Sequence, residues 1–111
     1  MKAYELLRKM ILNHGVEILS NRTRCKGIIN DLFQNKFSKE KNLIFSAFDE
    51  DIVDELLGDP NNLKTIIPRL VEKLVYERGL QKINAQWAVC SWAYAIGFID
   101  NSVLRQCPII G

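Results

Sequence analysis

Residues Ile83 to Ile99, INAQWAVCSWAYAIGFI, carry no charged side chain and are apolar on nearly every face a helix could present. A helix that is hydrophobic all round belongs at the centre of a fold. The stretch therefore predicts a central apolar C-terminal helix (about 83–99) against which the rest of the chain packs. Both tryptophans, Trp87 and Trp92, lie in it, separated by Ala85, Ala88, Ala93 and Ala95. Alternating large and small side chains let neighbouring helices interdigitate at crystal-like density. A bilayer core about 30 Å thick needs roughly 20 apolar residues in a row. Here Gln86, Ser91, Gly97 and Asp100 break or close the run, so a membrane span is not expected. The amino terminus, MKAYELLRKM, interleaves charge with apolar residues and is not read as a signal peptide. These features predict an intracellular, cytoplasmic protein.

The remaining segments read as amphipathic helices. Lys2 to His14 places Tyr4, Leu7, Met10 and Ile11 on one face, and Gly15 is the expected stop. After an apolar turn from Val16 to Leu19, Ser20 is positioned to cap a second helix with Cys25, Ile28, Ile29, Leu32 and Phe33 inward. Ser38 begins a third, with Leu43, Ile44, Ala47 and Phe48 buried. Asp49 is read as the cap of a short fourth helix that buries Ile52, Val53, Leu56 and Leu57 and stops at Gly58. The fifth has the cleanest stripe, Leu63, Ile66, Ile67, Leu70, Val71, Leu74 and Val75, and ends at Gly79. Pro68 complicates it, because a proline past the first turn deletes a hydrogen bond and clashes with the preceding turn, at about 3 kcal/mol. A start at Thr65 would keep Pro68 in the first turn; the alternative is a kinked helix from Asn62. The expected fold is all-α, a compact orthogonal bundle of five to six helices. With 111 residues and no linker-like or repeated segment, the chain reads as one domain. Its tail, VLRQCPIIG, predicts one further turn before Pro108, and its apolar ending looks like a cut through a longer protein.

Charge is segregated along the chain. Residues 1–41 hold nine Lys/Arg against four Asp/Glu, whereas residues 42–60 hold six acids and no base. Arg22, Arg24, Lys26, Lys36, Lys39 and Lys41 are the candidate phosphate contacts, which would bind nucleic acid by counterion release. Only Phe37 is interleaved with them, and neither a glycine-rich phosphate loop nor helix-turn-helix spacing accompanies them. A solvated helix face is the simpler account. The acidic run Asp49, Glu50, Asp51, Asp54, Glu55 stacks carboxylates one turn apart, a pattern able to hold a divalent ion. It lacks calcium-loop spacing, and negative charge at a helix start is otherwise favoured by the dipole. His14 is the lone histidine and has no partner nucleophile in sequence. Cys25, Cys90 and Cys107 are odd in number and form no CxxC pair, and they read as reduced structural thiols. No catalytic, metal or cofactor constellation is expected.

The tryptophans allow two roles. Five residues apart, they point about 140° from each other on a helix; the simpler reading puts both in the core, and the other has one anchor the core while its fellow shows an edge to a partner protein.

Gly15 with its apolar turn, Asp31-Leu32-Phe33, Glu40 with Leu43 and Ala47, Glu77-Arg78-Gly79-Leu80 and then Ala85-x-Trp87-Ala88-Val89-x-x-Trp92-Ala93-x-Ala95-x-Gly97 form a set spread over nearly all of residues 1–99. In this set the chain resembles a helical module that recurs in multidomain bacterial and archaeal proteins, often beside repeat, zinc-ribbon or signalling-type domains. Its most specific part is the tryptophan-helix signature. Cys90 and Ser91 stand where that module more commonly has an acid followed by Ser or Thr. The resemblance implies an accessory or adaptor role, through a protein partner or self-association, and carries no active-site residue across. Nucleic-acid binding by the basic amino-terminal third is the alternative.

Overall fold

The computed structural model describes residues 1–100 and 102. Among the described residues six α-helices and one 3-10 turn follow in order: α1 (Ala3–His14), the 3-10 turn (Val16–Ser20), α2 (Arg22–Phe33), α3 (Ser38–Asp49), α4 (Ile52–Gly58), α5 (Leu63–Arg78) and α6 (Lys82–Ala95). The fold is an all-helical bundle. The expected turn before Pro108 lies outside the described residues.

α6 is the hub the sequence predicts. It packs against α1, α3, α4 and α5, while α2 and the 3-10 turn join the bundle through α1 and α3. Between Ala85 and Ala95 only Gln86 and Tyr94 are not fully buried. Ala85, Ala88 and Ala93 bring neighbouring helices close, and Trp92 fills the space so enclosed: its ring lies 5.2 Å from that of Phe48 on α3, and its Nε1–H donates to the Ile44 carbonyl at 3.0 Å. A buried indole is stabilised when its single donor finds a carbonyl.

The hub is shorter than the expected rod. Gly97, at φ +86°, turns the chain out of the helix; its N–H donates to the Tyr94 carbonyl and the Phe98 N–H to the Ala93 carbonyl. This pair of bonds is the Schellman ending, which favours glycine because a side chain resists positive φ. Phe98 and Ile99 then pack on the core from outside the helix.

Helix starts differ from expectation in detail. Asn21, not Ser20, caps α2, its Oδ1 accepting from the Arg24 N–H at 3.1 Å, while the Ser20 hydroxyl donates to the Glu17 carbonyl. α3 begins at Ser38 behind Phe37, a left-handed residue whose ring meets Phe33 edge-on at 6.0 Å. Asp49 ends α3 and does not cap α4; Asp51, also left-handed, makes that corner. Leu57 remains exposed on α4. α5 starts at Leu63, so Pro68 lies inside the helix, and the Thr65 start is corrected.

Cys25 is a free buried thiol, pushed up to about 11 by burial. Cys90 is buried in α6, and Cys107 lies outside the described residues. Among the described residues no helix is long and apolar enough to cross a membrane.

Candidate functional site

The acidic run does not form an open carboxylate cluster. It is the middle of an ion-pair belt that joins four helices, and helix packing supplies its partners from distant sequence. From α2, Arg22 bonds Asp51 and reaches Asp54 at 3.3 Å, and Lys26 meets Asp49 at 2.5 Å. From α5, Arg78 meets Glu50 at 2.8 Å, while Lys73 at 2.9 Å and Arg69 at 3.0 Å both reach Glu55. Lys73 also donates to the Glu50 carbonyl at 2.8 Å, closing the end of α3. The charged heads of the α2 cations also lie over aromatic faces, the Arg22 guanidinium over Phe48 and the Lys26 ammonium over Phe45.

The electrostatics follow from this geometry. The hydrogen bond from Arg22, with its coulombic attraction, holds the Asp51 carboxyl below the usual range and raises Arg22 in turn. Burial alone would push the Glu55 carboxyl up, but the bonds and charges of Lys73 and Arg69 outweigh it and the net shift is downward. Among the described residues no group of three or more His, Cys, Asp or Glu side chains is arranged to hold a metal ion.

The six candidate phosphate-binding cations are thereby divided. Arg22 and Lys26 face the acids of α3 and α4. Arg24 is exposed in the first turn of α2, whereas Lys36 lies beyond its last, roughly 15 Å of helix away. Lys39 and Lys41 sit at the start of α3, Lys39 exposed and Lys41 half-buried. The structure does not gather the six on one face.

Neither tryptophan offers a surface. Trp87 is 2% and Trp92 0% exposed, so both rings lie in the core, and the alternative of a partner contact at one of them finds no surface. The 140° between them is accommodated because α6 has neighbours on several sides, and both rings find core.

Two clefts lie on the described surface. One, of about 470 Å³, lies at the carboxyl end of α6 and is lined by Arg8, Tyr94, Gly97, Phe98, Ile99 and Asp100. Arg8 is held there from α1, stacked 5.2 Å from the Tyr94 ring centre and donating to the Tyr94 carbonyl at 2.8 Å. This places positive charge at the negative end of the α6 dipole, which is a stabilising arrangement. A smaller cleft, of about 160 Å³, is lined by His14, Glu17, Ile18, Asn21 and Arg24, none of them a nucleophile for His14 to activate.

Among the described residues the most exposed large hydrophobic side chain is Tyr76, at 88%. It follows Glu72 by one turn on the outer face of α5, and Lys82 at the start of α6 reaches Glu72 at 3.7 Å beside it. Sequence reasoning passed over this residue although the signal was present: Tyr76 falls outside the inward stripe of Leu70, Val71, Leu74 and Val75. No family profile, curated protein or solved structure matches the chain.

Proposed function

We propose that this chain is a helical accessory module that acts by binding another protein or a second copy of itself, with Tyr76 in the contact. The exposure of Tyr76 carries the reading. Tyrosine presents a large amphipathic ring with few rotatable bonds, and it is enriched among residues whose truncation abolishes binding. The charged groups that could have served a small ligand are largely engaged in the ion-pair belt, which supports a surface role over a chemical one. The resemblance to an accessory module points the same way. A cytoplasmic location belongs to this reading, and the free thiol of Cys25 supports it.

The test is association measured with and without the ring. Sedimentation equilibrium reads self-association, and capture from an extract of the source cells reads a partner. Tyr76→Ser should weaken either by about 30-fold, the effect of losing about 2 kcal/mol at a contact residue. Its urea midpoint should match wild type within about 0.5 kcal/mol, since the side chain is outside the core. Association unchanged in Tyr76→Ser, while Leu57→Ser abolishes it, removes Tyr76 from the role. The rival reading retains Arg24, Lys36, Lys39 and Lys41 as phosphate contacts. Binding of generic DNA that weakens steeply between about 50 and 200 mM salt would replace the protein-binding reading with that one.

A further inference from the structure

We draw no further inference here: the strongest candidate, the amino end of α3 without a side-chain cap and with Lys36, Lys39 and Lys41 around it, carries nothing because surface lysines beside a helix start do not by themselves make a site.

Discussion

At the scale of single residues, two neighbours on α6 make opposite demands on the core. Trp92 is fully buried and its indole donor is matched to the Ile44 carbonyl. Trp92→Phe removes that bond and leaves a gap beside Phe48, so unfolding in urea should show a loss of about 2–3 kcal/mol, beyond the 0.5–1.5 of a lost hydrogen bond alone. A variant as stable as wild type would mean the indole is not held as described. Ser91 is also fully buried, but its hydroxyl has no hydrogen-bond partner among the described residues. An unmatched buried hydroxyl costs about 1–3 kcal/mol, and alanine is the better helix former. Ser91→Ala should therefore raise the thermal midpoint, by the equivalent of about 1 kcal/mol; a fall would show that the hydroxyl is bonded in solution.

At the scale of elements, α5 shows which of two known effects wins. Pro68 cannot donate to the carbonyl one turn back at Lys64, and its ring crowds that turn, a penalty of about 3 kcal/mol. Beginning the helix at Thr65 would avoid much of it. The helix begins at Leu63 regardless, with the Asn62 carbonyl accepting from both Thr65 and Ile66. Ile66, Leu70, Val71 and Leu74 are buried from either start, but the earlier one adds Leu63, which packs partly buried on the core, and burying a leucine contributes up to about 1.5–3 kcal/mol. Pro68 and Lys64 are both exposed, so water can serve the freed carbonyl. Pro68→Ala restores the missing bond and gives back some unfolded-state freedom. A net gain of about 1–2 kcal/mol in chemical denaturation is expected, and a loss would show that the proline ring itself packs usefully.

At the scale of the whole molecule, the ion-pair belt ties α2, α4 and α5 to the end of α3 without touching the buried face of α6. Asp51 and Glu55 titrate below their ordinary range when folded. The unfolded chain therefore takes up protons first as pH falls, and the stability these groups contribute is complete above about pH 4.5 and lost as pH drops through the lower folded values. Glu55→Gln should cost about 1 kcal/mol near pH 7, and the difference from wild type should close near pH 2 and shrink in about 1 M salt. A difference that persisted in acid would assign the effect to packing of the Glu55 stem.

Much of the fold was legible in the sequence because it depends on local periodicity and on one extreme segment. The inward stripes of α1, α3 and α5, the stops at Gly15 and Gly79 and the central place of the tryptophan helix all follow from spacing and from the absence of charge. Helix starts were less legible, since a cap depends on which of several adjacent polar residues turns back: Asn21 does so, while Ser20 bonds the Glu17 carbonyl behind it. The candidate surface was hardly legible at all. The acidic run and the basic segment looked like separate features because they are far apart in sequence, and only packing of α2 on α3 and of α5 on α3 and α4 puts Arg22, Lys26, Lys73 and Arg78 against those acids. Tertiary structure likewise decided the fate of the tryptophans. Amphipathic pattern states which side of a helix is apolar, but whether an indole meets core or solvent depends on how many neighbours surround that helix, and α6 has four.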